Sequence, residues 1–109
     1  MSLTVPANAV VYFATDGGLA TTSNGAATVE VAVFVDGLRV QGGLRRVSVA
    51  AATTDVSTWS LSLSLPLDAK TAHTVDVRAR YVTGFASVMV SGGSASALRG
   101  ELTALLLNR

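Results

Sequence analysis

The sequence contains no cysteine, so neither a disulfide nor a thiolate-bound metal ion contributes to its stability or chemistry. Charge is also scarce, because Asp, Glu, Lys and Arg make up only 14% of the residues, against about 25% in an average globular chain. The formal net charge is +1, and the longest run of basic residues is Arg45-Arg46. This composition predicts no binding to nucleic acid and no attraction to an anionic membrane.

Long apolar runs and targeting signals are missing as well. The first residues show no basic segment followed by an apolar stretch and a small-residue cleavage site. No apolar run approaches the roughly 18 residues that span a bilayer. We therefore expect no membrane insertion. The location is not determined by the sequence: it is cytoplasmic or particle-associated by default, and export by another route stays open. Arginine outnumbers lysine, which is typical of GC-rich bacterial and phage genomes.

What the chain has in excess is apolar residues, which reach 50% in a length of 109. That length predicts a single domain, residues 1–109. A small monomer has too much surface to hide so many apolar side chains. We therefore expect that Ser and Thr cover part of the exterior and that other copies of the chain cover another part.

Apolar residues recur with a period of two, and turn residues interrupt this pattern at short intervals. The pattern predicts an all-β fold, an antiparallel β-sandwich or jelly roll of about eight strands. Residues 56–65 alternate most clearly between apolar residues and serines, and Pro66 is expected to end that strand. The other strands are predicted at residues 9–14, 28–35, 38–41, 45–51, 73–82, 86–90 and 98–107.

Turns are predicted where glycine, aspartate and asparagine cluster between these strands. Asp36-Gly37 predicts a tight hairpin, because both residues tolerate a positive φ. The remaining predicted turns are Asp16-Gly17-Gly18, Ser23-Asn24-Gly25, Gly42-Gly43 and residues 91–94.

The apolar phase of each strand predicts the core. The residues expected to be buried are Val31, Val33, Trp59, Leu61, Leu63, Val75, Val77 and Leu102. Two strands are apolar on both faces, namely the last strand and the strand near residue 12. Phe34 and Ala32 lie opposite the valines of their own strand. The candidate oligomer interface is therefore Tyr12, Ala32, Phe34, Leu105 and Leu107, exposed in a single chain.

No set of catalytic residues accompanies these strands. His73 is the sole histidine, and no G-x-S-x-G nucleophile motif is present, so we interpret His73 as a structural residue at the start of a strand. Asp16, Asp36, Asp55 and Asp68 fall in different turns, and no D-x-D-x-D-G calcium loop occurs. The glycine pairs match no phosphate-binding motif. We predict a non-enzymatic protein without a metal ion or another cofactor.

Sugar binding on a β-sandwich usually depends on exposed aromatic side chains. The strand phase places Trp59 and Tyr81 on the apolar side of their strands, which favours a core position over an exposed platform.

Two short segments resemble known sandwich families. Residues 73–79, His-Thr-Val-Asp-Val-Arg-Ala, are similar to the penultimate strand of fibronectin type III domains, which belong to the immunoglobulin-like sandwiches. Residues 98–107 resemble the last strand of tumour-necrosis-factor-like and complement-type jelly rolls, which pack as trimers with this region near the shared axis. The second resemblance implies a trimer, and neither identifies a functional residue.

These observations predict a self-associating structural or adhesion module, such as a bacterial surface or phage-particle component. Its partners would be copies of itself, with a protein or glycan as a further ligand. The alternative function is a carbohydrate-binding module, and a third hypothesis is a hydrolase that uses His73.

Overall fold

The computed structural model describes residues 1–21, 25–49, 57–84, 88–90 and 101–108. These residues form eight strands and no helix, which confirms the all-β class. The strands are β1 (Ser2–Val5), β2 (Ala9–Thr21), β3 (Ala27–Val35), β4 (Leu38–Val49), β5 (Ser57–Leu67), β6 (Lys70–Gly84), β7 (Val88–Val90) and β8 (Glu101–Asn108).

The strands make two antiparallel sheets that pack as a sandwich. The first sheet has the order β1-β6-β3-β4. The second sheet is built around β2, which pairs with β5 along one edge and with both β8 and β7 along the other. β8 therefore has β2 on one side and none of the described strands on the other.

The predicted hairpin at Asp36-Gly37 is confirmed. Val35 pairs with Leu38, so the turn contains two residues, and both have positive φ, 51° at Asp36 and 82° at Gly37. Two positive φ values are typical of the type I′ turn, whose twist matches that of the flanking strands.

Two predicted turns and one predicted strand end lie inside strands instead. Gly17-Gly18 continues β2, and Gly17 pairs with Trp59, where a residue without a side chain leaves room opposite the large indole. Gly42-Gly43 belongs to β4, where Gly42 adopts φ +80° beside a register shift in the β3–β4 pairing. Pro66 pairs with Val10 within β5, because an edge strand tolerates a residue that donates no hydrogen bond.

Other predicted boundaries also change. β1 was not predicted, whereas residues 38–41 and 45–49, which were predicted in separate segments, belong to one strand. β8 is described from Glu101 onward. Several predicted positions lie outside the described residues, namely 23–24, 50–51, 55–56, 86–87, 91–94 and 98–100.

The core lies between the sheets and has the predicted phase. Of the predicted core residues, five are buried: Val31, Val33, Trp59, Leu61 and Val75. Three are only half-buried at the margins of the core: Leu63, Val77 and Leu102.

Tyr81 was expected on the buried side of β6 and is 52% exposed, so that prediction is wrong. The reason is that β1 pairs with β6 only between Lys70 and Thr74, so that the rest of β6 is an edge strand among the described elements. Val77 is half-buried for the same reason. No helix long and apolar enough to cross a membrane occurs among the described residues.

Candidate functional site

His73 lies at the start of β6 and is enclosed by polar partners. Its Nδ1 atom is 2.7 Å from Oδ2 of Asp36, and its Nε2 atom is 2.9 Å from the carbonyl oxygen of Asp68. A carbonyl oxygen and a carboxylate both accept hydrogen bonds, so this geometry favours a ring that donates from both nitrogens, which is the charged imidazolium. The side chain is only 7% exposed.

The electrostatics agree with a charged ring. The Asp68 carbonyl and then the Asp36 carboxylate raise the pKa of His73, although burial acts in the opposite direction. The backbone N–H of Thr74 and then the ring of His73 lower the pKa of Asp36. Lys70 adds a further positive charge, with its Nζ atom 3.5 Å from Oδ2 of Asp36.

This cluster joins two distant parts of the first sheet. Asp36 sits in the β3–β4 turn, and its Oδ1 accepts a hydrogen bond of 2.9 Å from the N–H of Thr74. The N–H of Asp36 in turn donates to the Thr74 carbonyl at 2.8 Å. Since both ring nitrogens of His73 are engaged, neither is available to accept a proton from a substrate. The arrangement holds the β3–β4 turn against the start of β6.

The outer face of the first sheet is basic. Glu30 on β3 is 6% exposed and lies between Arg80 of β6, at 3.0 Å, and Arg46 of β4, at 3.3 Å. The Arg80 side chain lowers the pKa of Glu30 most, and Arg46 adds to this effect. Further along the same face, the guanidinium of Arg78 lies 4.3 Å from the centre of the Phe34 ring. Arginine therefore covers much of this face.

The five predicted interface residues do not meet on one surface. Ala32 and Phe34 belong to the outer face of the first sheet, whereas Tyr12, Leu105 and Leu107 belong to the outer face of the second. Ala32 is only 6% exposed, so the prediction that it is exposed is wrong. It lies on a central strand between Leu44 and Arg78, whose longer side chains cover it.

The second outer face carries a contiguous apolar patch. Tyr12 pairs with Leu105, and Val10 pairs with Leu107. Tyr12 is 40% exposed, Leu105 56% and Leu107 54%. We call Tyr12, Leu105 and Leu107 the apolar patch. The strand β5 borders it with the outward-facing Ser62 and Ser64.

A cleft of about 380 Å³ opens between the two sheets beside Met1, just before β1 begins. Trp59 and Thr15 line it, and the exposed residues Asp16 and Glu101 lie at its rim. Trp59 is 5% exposed, so the prediction that it is buried is confirmed, although it borders a cleft. Sequence reasoning missed this cleft, because no local pattern shows where one sheet loses an edge strand.

Metal ligands do not converge within the part of the chain that the structure describes. No group of three or more His, Asp or Glu side chains there is placed to hold an ion. Asp16 lies at the cleft, Asp36 is bound to His73, and Asp68 is exposed.

No family model matches this chain, and neither the curated proteins nor the solved structures include a match.

Proposed function

We propose that this protein is a non-enzymatic, self-associating β-sandwich that serves as a structural or adhesion module. Copies associate through the apolar patch on the second sheet. The observation that carries this proposal is that three large apolar side chains, each at least 40% exposed, lie on adjacent strands of one face. The main apolar patch of a soluble protein is often its site of association.

The chain exposes somewhat more surface than an average compact monomer of its mass. The chain has an accessible surface of 6324 Å². A compact monomer of 11.1 kDa has about 5700 Å² by the usual scaling with mass. The additional surface results from an elongated shape of 49 × 25 × 17 Å. Association would remove part of this surface from water.

Burial of the apolar patch would contribute several kcal/mol to the free energy of association. Removing one large apolar side chain from water contributes about 1.5 to 3 kcal/mol, before the cost of association is subtracted. A stable interface buries about 800 Å² on each partner, so the patch would form the centre and the neighbouring Ser62, Ser64 and Thr103 the rim. This arrangement, an apolar centre with a polar rim, is usual for protein interfaces.

The edge of β8 strengthens the argument. β8 carries two of the three patch residues and is an edge strand among the described elements. Unpaired strand edges attract other strands, and natural proteins cover or charge them. Leu105 and Leu107 place no charge at this edge, which favours its burial against another copy.

The opposite face is less suited to the same role. The guanidinium of Arg78 covers the Phe34 ring, and Ala32 is already buried. Ala32 and Phe34 would take part only if the first sheet of one copy packed against the second sheet of the next copy.

Several finer features belong to the same proposal. The resemblance of residues 98–107 to trimeric jelly rolls favours three copies around an axis near β8. The arginine-rich, low-charge composition favours a bacterial surface or phage-particle component. The double engagement of His73 supports a non-enzymatic role. Ester, glycoside and phosphate substrates should show no turnover, and turnover that His73→Ala abolishes would contradict this role.

Light scattering at micromolar concentration tests the association. The wild type should have a mass that is a multiple of 11.1 kDa. Leu105→Glu should dissociate the assembly into folded single chains, because it places a charge in the patch. Leu38→Glu is the matched control, since Leu38 is 75% exposed at the β3–β4 turn, away from the patch.

Three results would count against the proposal. A wild type with the mass of one chain would refute self-association. An oligomer that Leu105→Glu leaves intact would refute this interface, and so would dissociation by Leu38→Glu to the same extent.

A further inference from the structure

A groove of about 240 Å³ lies on the outer face of the first sheet. Its floor is apolar, because Ala32, Phe34 and Leu44 line it. Its walls are exposed arginine side chains, namely Arg39, Arg78 and Arg80. Arg39 forms no ion pair with any described residue. This groove can therefore receive a large apolar side chain that is accompanied by negative charge.

The same face carries an excess of positive charge. Arg46 and Arg80 flank Glu30 across three adjacent strands, and we call these two arginines the arginine row. Their side chains are 65% and 71% exposed, although both bond to Glu30. Each uses one nitrogen for that bond, so its other guanidinium N–H groups can still donate. Between the arginine row and Phe34, the outward-facing charged groups are four arginines and two carboxylates, which leaves a formal charge of +2.

The outer face of the second sheet has the opposite charge. Asp16 and Glu101 are partners across the β2–β8 pairing, and we call them the acidic pair. Both are exposed and share the outward phase of Tyr12 and Leu105. Every Lys and Arg that the structure describes lies in the first sheet, so the described part of the second sheet places no cation beside the acidic pair. The two outer faces of the sandwich are thus complementary in charge.

The two faces also match in the spacing of their aromatic and charged residues. Four positions separate Tyr12 from Asp16 in β2, and four positions separate Glu30 from Phe34 in β3. A strand rises about 3.3 Å per residue, so both separations are about 13 Å. When Tyr12 of one copy lies in the groove beside Phe34 of another, the acidic pair can therefore reach the arginine row.

We propose that the second sheet of one copy packs against the first sheet of the next copy. This inference rests on the proposed self-association and names the surface that receives the apolar patch. Tyr12 enters the groove, where arginine side chains can contact its ring as Arg78 contacts the ring of Phe34. The acidic pair meets the arginine row. A face of 49 × 25 Å is larger than the roughly 800 Å² that each partner buries in a stable interface.

Pairing of like faces satisfies these charges less well. Two first sheets would bring one arginine-rich face against another. Two second sheets would bury acidic pairs with no cation from the described residues of either copy, and burying an unpaired charge is costly. Unlike faces make a heterologous contact, which repeats from copy to copy as a closed ring or an open stack.

Variants that disable one face at a time test this arrangement. Leu105→Glu disables the second sheet, and Arg39→Glu or Arg78→Glu disables the groove without changing the apolar patch. Every heterologous contact needs both faces, so each of these variants alone should have the mass of one chain, 11.1 kDa, by sedimentation velocity. An equimolar mixture of Leu105→Glu with Arg39→Glu contains one intact face of each kind. This mixture should form a 1:1 dimer with twice that mass.

The matched control is Arg45→Glu, which reverses a charge on the same strand as Arg39. Arg45 is exposed, but it pairs with Val31 and so has the opposite phase to the groove. This variant should keep the mass of the wild-type assembly. Circular dichroism of each variant should match that of the wild type, which shows that a lower mass results from a lost contact and not from unfolding.

The outcomes separate this inference from the proposed function. A wild type with the mass of one chain would refute both. An oligomer that Leu105→Glu dissociates, and that neither Arg39→Glu nor Arg78→Glu affects, would retain the proposed function and overturn the heterologous contact. A mixture of Leu105→Glu and Arg39→Glu that stays monomeric would overturn it too, and so would dissociation by Arg45→Glu.

Discussion

The carboxylate of Asp36 lies 2.7 Å from the ring of His73 and so ties the β3–β4 turn to the start of β6. The two residues are 37 positions apart in the chain. Both are held in their charged forms, because each is the other's partner and each also bonds to the backbone.

This pair predicts that stability falls when the pH rises above neutral. The pKa of His73 is raised above its usual value of 6.5, so its contribution is complete below pH 6.5 and is lost as the pH rises through the folded-state pKa. Urea unfolding at pH 6 and pH 9 should show a lower free energy of unfolding at pH 9. His73→Gln should reduce this difference, whereas a wild type of constant stability would contradict an imidazolium.

Two leucines on β5 should differ in their contribution to the core. Leu61 is 2% exposed, whereas Leu63 is half-buried at the core margin. Leu61→Ala should lower the free energy of unfolding by about 2 to 5 kcal/mol, and Leu63→Ala by about 2 kcal/mol, the lower end of that range. Chemical denaturation of both variants checks the order. A larger loss for Leu63→Ala would mean that the two positions are misplaced relative to the core.

Two glycines with positive φ should respond differently to alanine. Gly37 has φ +82° with open space around it, so Gly37→Ala should cost only backbone strain, about 1 kcal/mol. Gly84 has φ +133°, and a Cβ there would lie 2.5 Å from the Ala26 carbonyl oxygen. Gly84→Ala should therefore cost about 1 to 3 kcal/mol more. Equal thermal midpoints of the two variants would contradict the tight contact at Gly84.

The predictions that succeeded depend on local chemistry. Asp36-Gly37 makes a turn because of its own backbone preferences, and Trp59 is buried because alternation with serines sets the phase of β5. The predictions that failed concern residues whose surroundings override those preferences. Gly17 continues a strand because it faces Trp59, and Pro66 is accommodated because β5 is an edge.

The candidate sites depend even more on distant parts of the chain. The exposure of Leu105 and its neighbourhood with Tyr12 follow from the β2–β8 pairing, and alternation showed only that both faces of these strands are apolar. The burial of Ala32 requires Leu44 and Arg78 on two other strands. That no described residue accepts a hydrogen bond from the N–H of Trp59 can be seen only in the folded structure.

The central position of β2 has a consequence for the order in which the chain folds. β2 leaves the ribosome early, but its β8 partner is synthesised much later, as the hydrogen bond between Thr15 and Glu101 spans 86 positions. Closing such a long loop slows folding, so the second sheet should form after the local β3–β4 hairpin, on a timescale of about milliseconds to seconds. Until then one edge of β2 is open to the equivalent strand of a neighbouring chain, and exchange of β8 between two copies would give a domain-swapped assembly.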